Sequence, residues 1–265
     1  MKVIRYSLLI LCAIIAIFPF YWMTVTAFSD KVWISDPQFL PFPLYWGAFK
    51  KVLASHPFLR WTVNTTIIST AGTLGTLLFS SLAAFAFACL RFKYRDLIFY
   101  TLLSTMILPG FLMVIPKFFF IFKVGGINTY WGIFVPTWFS MFSVFFLRQH
   151  YFSIPHEILN AARVDGASLW QIYWRLVLPY GKNIVMALFV INFIGNWNSF
   201  LWPLVIIRKS EMKTLSLGMS AFYGIYFAEY NTIMAGAVVS MIPLIVIFVL
   251  FNKYIEKGLK MRITF

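Results

Sequence analysis

Read as hydrophobic and polar positions, the chain is a series of long apolar runs separated by short polar breaks. A helix needs about 20 predominantly apolar residues to cross about 30 Å of hydrocarbon. Six stretches meet that requirement: 8–28, 65–90, 97–116, 130–147, 184–207 and 234–252. None of them contains Asp, Glu, Lys, Arg or His. Pro109-Gly110 and Pro116 interrupt the third, and Pro136 sits early in the fourth. Each proline frees a carbonyl that neighbouring helices or water must satisfy, so these two spans are expected as kinked helices inside a bundle. The pattern predicts an all-α membrane protein, a polytopic bundle of about six transmembrane helices, forming one domain over residues 1–265.

One polar stretch, Ile154 to Pro179, also reads as helix-forming, within a 148–183 segment too polar to span. Pro155 suits a first helical turn with Ser153 as its cap, and His156 to Val164 are good helix formers. Asp165-Gly166 then turns the chain, and a second helix is expected from Ala167 to Leu176, ending before Pro179. A hairpin that protrudes to meet a partner and an amphipathic hairpin resting on lipid headgroups would share this pattern.

Composition agrees with the bilayer reading: 61% of residues are hydrophobic and 11% charged, with a mean hydropathy of +0.83, against about 25% charged in soluble domains. The net charge of +14 would suit nucleic acid, but the basic residues sit in short clusters between apolar runs and form no single polar face. The positive-inside rule accounts for them. Lys2, Arg5, Arg91, Lys93, Arg95, Arg148, Arg163, Arg175, Lys182, Lys253, Lys257, Lys260 and Arg262 fall on one side and the remaining nine of the 22 on the other. Density widens the margin, because the Arg91–Arg95 loop is short and the opposing 29–64 connection long. Both termini and the 148–183 segment are therefore expected in the cytoplasm. The run that follows Lys2 and Arg5 reads as an uncleaved first helix. Cys12 and Cys89 lie inside apolar runs, and His56, His150 and His156 match no metal spacing, so neither a disulfide nor a metal site is expected.

Asn160-Ala161-Ala162, Gly166, Leu176 and Leu178-Pro179 resemble the coupling loop of permease subunits of ATP-binding-cassette (ABC) importers. The family pattern there is Glu-Ala-Ala, three residues, Gly, nine residues, a branched apolar residue, one residue, Leu-Pro. Further stretches resemble the carbohydrate-uptake branch of the family: Ala83 to Ala88 with Leu90-Arg91-Phe92, Leu108-Pro109-Gly110 with Ile115-Pro116, Asn128 to Gly132, Gly195 to Asn198 running to Phe200–Leu204, and Met234 to Ala237. Together they cover nearly the whole chain. Phe111 stands where an acidic residue often follows Pro-Gly, and the tail ends in Met261 to Phe265 where a Gly-rich end is common.

The resemblance implies that the hairpin fits a cleft on an ATP-hydrolysing subunit, with Ala161, Ala162, Asp165 and Gly166 as the docking core and Glu157 and Arg163 as charged contacts. Asn160 replaces the family Glu, so a salt bridge made there is absent or moved to Glu157. It also implies an ABC ATPase dimer that carries ATP and Mg, a second homologous permease subunit, an extracytoplasmic solute-binding protein on the 29–64 and 208–233 loops, and a bacterial-type inner membrane. The chain has no G-x-x-x-x-G-K-[ST] loop, since Gly181-Lys182 is followed by Asn183 and Leu176 stands at the first Gly, so it is expected to be no enzyme and to hold no cofactor. The expected cargo is a sugar, an oligosaccharide or a related polyol.

A polyhydroxylated solute needs polar groups facing a path. Thr66, Thr70, Thr73, Thr76 and Ser80 lie at helical spacing in the second span, where close packing of small and hydroxyl residues competes with a path role. Asn192, Asn196, Trp197 and Asn198 in the fifth supply amides and an aromatic face suited to sugars, and Trp202 reads as an interfacial anchor. Thr73, Asn192, Asn196, Trp197 and Asn198 are the path candidates. An ion-coupled secondary transporter would place acids or His inside the spans, but all eight acids fall outside them. A membrane enzyme would need clustered catalytic groups. A channel subunit leaves the hairpin unexplained.

Overall fold

The computed structural model describes residues 2–30, 39–55, 57–222 and 230–259. The loops expected to meet a solute-binding protein therefore lie partly outside the described residues, as do Asp36, His56, Glu229 and the tail from 260. All regular structure among the described residues is helical. In chain order these are α1 (Lys2–Ala27), α2 (Gly47–Ser55), α3 (Phe58–Cys89), α4 (Arg95–Ser104), α5 (Val114–Lys123), α6 (Tyr130–Phe134) and α7 (Met141–Tyr151). They continue as α8 (His156–Val164), α9 (Leu169–Ile172), α10 (Leu178–Tyr180), α11 (Lys182–Trp197), α12 (Leu201–Ile206), α13 (Leu215–Met219) and α14 (Tyr230–Leu259). Helices α1, α3 and α14 are each long and apolar enough to cross a membrane in one piece, and three bent pairs bring the number of candidate spans to six.

Local chemistry sets each bend. Between Arg95–Ile107 and Gly110–Lys123 the chain turns by 101°. Leu108 there is extended (φ −75°, ψ 126°), because the ring of Pro109 excludes the helical conformation from the residue before it. Pro116 falls in the first turn of α5, where a missing N–H costs little. Tyr130–Thr137 and Met141–Tyr151 meet at 42°, and the Ser140 hydroxyl caps α7 by accepting from Ser143 N. Leu169–Tyr180 and Lys182–Trp197 meet at 76° around Gly181, where a Cβ would lie 2.6 Å from the Tyr151 ring. The expected stop before Pro179 does not occur. Residues Tyr173–Val177 widen into a π-helical segment and α10 restarts at Leu178, so Pro179 sits in a first turn where no donor is required.

At about 1.5 Å per residue, the 32 residues of α3 run about 48 Å, well beyond about 30 Å of hydrocarbon. This helix is the axle of the fold: more than half of its apolar stretch is buried, whereas α1 and α14 are mostly exposed. Its buried face carries Ser69, Thr73, Thr76, Ser80, Ser81 and Ala84, small enough to let α7 and α11 approach closely. Thr76 Oγ1 shares its one hydrogen between the carbonyls of Gly72 and Thr137, at 2.8 and 2.6 Å, and Trp138 Nε1 donates to that of Ala71 at 3.2 Å. Thr76 and Ser80 are thereby bonded to the 137–140 segment.

Beyond the bundle, the amino-terminal end of α3 holds the 208–215 segment. Trp61 Nε1 donates to Ser210 O, and Asn64 Nδ2 to Glu211 O and Lys213 O, while Thr65 Oγ1 accepts from Leu215 N at 2.7 Å. Trp202 is not the interfacial anchor expected of it. Only 8% of it is exposed, and its Nε1–H is shared by the carbonyls of Gly132 and Ile133. A tryptophan that finds backbone acceptors inside the fold has no need of the headgroup region.

Candidate functional site

The opposite end of α3 gathers the polar hairpin. Its last carbonyls have no helical partners, and three arginines from three elements supply them. Arg148 Nε of α7 donates to Phe87 O at 3.3 Å, Arg163 Nη2 of α8 to Cys89 O at 3.1 Å, and Arg95 Nη1 of α4 to Leu90 O at 3.3 Å. Cations at a helix carboxyl end also oppose its dipole. Asp96 joins two of the three, taking Arg148 Nη2 at 2.8 Å and Arg95 Nε and Nη2 at 3.2 and 3.1 Å. The Arg148 guanidinium, 4% exposed, lies over the rings of Phe99 and Phe152 at 3.8 and 4.4 Å.

Helix α8 begins after Pro155 without a side-chain cap. Ser153, expected as that cap, instead donates its hydroxyl to His150 O at 2.7 Å, because Pro155 itself occupies the capping position and Ser153 belongs to the preceding turn. Glu157 in the first turn and Arg163 in the last each suit the dipole. The helix ends in a Schellman motif: Gly166 N donates to Arg163 O and Ala167 N to Ala162 O, with Gly166 at φ +78°. That conformation strains any residue with a Cβ, and the Ala-to-Gly spacing of the hairpin is therefore the spacing of its helix terminus. Ser168 and Gln171 then start α9 as a reciprocal capping box. This Ser-x-x-Gln signal is legible in the sequence and absent from the expectations above.

The structure divides the docking candidates by face. Leu159 is buried, Ala162 packs against the same core, and Arg163 is bonded to the end of α3. Glu157, Asn160, Ala161 and Val164 are exposed and share the outer stripe, at the i, i+3, i+4, i+7 spacing of one helical face, with Asn160 on its edge beside His156 and Arg163. Val164 is 87% exposed; its place in that spacing is a signal the sequence reading missed. Asp165 and Gly166 extend the exposed face at its end, and no atom lies within 4 Å of a Cβ built on Gly166. Below it, Tyr173 of the π-helical segment donates to Ser81 Oγ at 3.0 Å, and Ser81 Oγ bonds Tyr151 Oη at 2.8 Å. Both arms of the hairpin are thereby tied to α3.

The path candidates also separate. Asn196 Nδ2 donates to Thr73 Oγ1 at 3.2 Å, and Asn192 Nδ2 to Ser143 Oγ at 3.0 Å and Leu188 O at 2.8 Å, so these three clasp α11 to α3 and α7. Trp197 is buried and stacked on Phe193. Where α11 breaks, Asn198 is exposed in a cleft of about 310 Å³ that it shares with Trp197, Ser216, Met219, Ser240 and Met241.

Residues 76–261 match the model of the family described as binding-protein-dependent transport system inner membrane component. The lactose transport system permease protein of Rhizobium radiobacter is 32% identical over 264 residues, covering 97% of this chain and 94% of that one. An arabinooligosaccharides transport system permease protein of Bacillus subtilis is 33% identical over 84% of this chain and 79% of its own. The sn-glycerol-3-phosphate transport system permease protein of Yersinia pestis is 30% identical over 95% and 93%. A crystal structure of a bacterial ABC transporter involved in the import of the acidic polysaccharide alginate contains a chain of the same fold, with a TM-score of 0.85 at 23% identity over 96% of this chain and 95% of that one. In a second, a complex with an alginate pentasaccharide-bound periplasmic protein, the TM-score is 0.66 at 18% identity over 97% and 95%.

Proposed function

Because this chain belongs to the binding-protein-dependent transport system inner membrane component family, we propose that it is a permease subunit of an ATP-driven ABC importer, forming half of the translocation path for a sugar, oligosaccharide or related polyol. The observation that carries the reading is the exposed α8 stripe of Glu157, Asn160, Ala161 and Val164, on a hairpin bonded through Arg163 and Tyr173 to the helix at the centre of the fold. An exposed helical face with anchors at i, i+3, i+4 and i+7 is suited to a partner's groove. A rigid attachment lets a displacement of that face reach α3.

In this reading the groove belongs to an ABC ATPase dimer, which holds the ATP and Mg and performs the hydrolysis, and this chain is no enzyme. Asp165 and Gly166 dock beside the stripe, while Ala162 and Arg163 support it from behind. A second homologous permease subunit completes the path. Apolar side chains exposed along the α4–α5 unit, among them Ile107, Phe111, Ile115 and Phe120, are available to that subunit or to lipid. The importer receives cargo from an extracytoplasmic solute-binding protein, as expected of a family named for dependence on one, and both termini of this chain face the cytoplasm.

Asn198 presents an amide to the solute in the cleft that the buried Trp197 helps to wall, and Thr73, Asn192 and Asn196 set the spacing of the helices that frame the path. ATP-dependent uptake by vesicles reconstituted with this chain, its partner permease, the ATPase and the binding protein tests the reading. ATP-driven accumulation of a carbohydrate is expected, with Asn198→Ala altering its rate or sugar preference severalfold. Accumulation driven by an ion gradient without ATP contradicts the reading, and an unchanged Asn198→Ala removes that residue from the path.

A further inference from the structure

Between the end of α3, the 90–95 turn and α8 lies a crevice of about 300 Å³ lined by Cys89, Leu90, Arg91, Arg95, His156, Leu159, Asn160 and Arg163 among others. That volume is at the lower end of the range for small-molecule sites, about 300–1,000 Å³. The crevice is poor in negative charge. Asp96 is already shared by Arg95 and Arg148, Glu157 is exposed and is not among the lining residues, and Asn160 stands where the importer pattern has a carboxylate. Arg163 and Arg95 are bonded to carbonyls at the end of α3, whereas Arg91 has no hydrogen-bond or ion-pair partner among the described residues. Arg91 and Arg163 therefore line the cleft with no carboxylate partner, beside Arg95, whose partner is Asp96.

Its position says what the anion is. Leu97, Ile98 and Tyr100, within about a turn and a half of Arg95, are 65%, 43% and 60% exposed, so the exposed apolar surface of α4 starts beside the crevice. The turn itself alternates Arg91, Phe92, Lys93, Tyr94 and Arg95, with Phe92 and Tyr94 exposed. Interleaved cations and aromatic rings mark the headgroup level of a bilayer, and basic pockets between membrane helices suit anionic headgroups.

We propose that this crevice binds the phosphodiester of an anionic phospholipid, with Arg91 as its principal partner and Asn160 as the residue whose neutrality leaves room for the charge. Native mass spectrometry of the assembled transporter, exchanged into phosphatidylglycerol or phosphatidylcholine, tests the site. Wild type is expected to retain phosphatidylglycerol at least about fivefold better than phosphatidylcholine, a difference of about 1 kcal/mol. Arg91→Gln and Asn160→Glu should each abolish the preference, and Lys93→Gln, outside the crevice, should keep it. Equal retention by wild type, Arg91→Gln and Asn160→Glu overturns the proposal, as does an equal loss with Lys93→Gln. Displacement of the lipid by inorganic phosphate would make this a free-anion site, and no retention of either lipid by the wild-type assembly would make it a protein contact; either result also overturns it.

Discussion

Gly166→Tyr is expected to reduce ATP-dependent uptake by about a hundredfold or more, equivalent to about 2.7 kcal/mol of lost coupling, while the chain still reaches the membrane. Two effects combine. Residue 166 sits at φ +78° as the left-handed cap of α8, which costs a residue with a Cβ about 1–2 kcal/mol. The space beyond its Cα is open within this chain, so a ring there collides only with a partner. Gly166→Ala separates the two, because it carries the backbone strain without the bulk and should lower uptake no more than about fivefold, within what that strain alone can shift. Uptake by reconstituted vesicles, with membrane abundance followed by immunoblot, measures both. Full activity of Gly166→Tyr would mean that this end of the hairpin meets nothing.

Arg148→Leu is expected to cost the assembled transporter about 2 kcal/mol of stability, within the penalty for leaving a buried polar group unpaired. The guanidinium satisfies Phe87 O, pairs with Asp96 and covers two aromatic rings. Leucine leaves the carbonyl unpaired in a dry site. The loss of the ion pair itself adds little, because Asp96 is half exposed and keeps Arg95. Arg148→Lys should fall between the two, since one ammonium cannot serve a carbonyl, a carboxylate and two ring faces together. Thermal unfolding of the purified transporter reads the series, with Arg148→Leu lowest. A transition unchanged from wild type in Arg148→Leu would remove Arg148 as the clasp of this end.

Apolar runs marked the candidate spans in the sequence because their length and lack of charge are physical requirements of the bilayer. The Leu-Pro step at 108–109 likewise announced an interruption, though a 101° break needed three-dimensional packing to be seen. Gly166 was legible as a turn; that Ala162 and Gly166 are two positions of one helix terminus followed only from the hydrogen bonds. The direction in which each hairpin residue faces was hidden, since a nine-residue helix can turn either flank to its core. Leu159 decides this by burial, and with it the roles of Ala161 and Ala162 diverge. Arg148 looked in the sequence like one more cytoplasmic charge. Its burial depends on Phe99 and Phe152 arriving from different elements, a coincidence no local pattern encodes. Trp202 misled for a related reason, because its acceptors lie on α6, far away in the chain.

Thiol cross-linking between α8 and the ATPase tests the docking face most directly. In a background with Cys12 and Cys89 replaced, single cysteines at positions 161 and 164 of the exposed stripe, and at 159 and 162 of the inward face, are probed in the assembled transporter with a short bifunctional maleimide. Ala161→Cys and Val164→Cys are predicted to join the ATPase, and Leu159→Cys and Ala162→Cys to remain unjoined. Cross-links from the inward pair, or none from the stripe, would contradict the account.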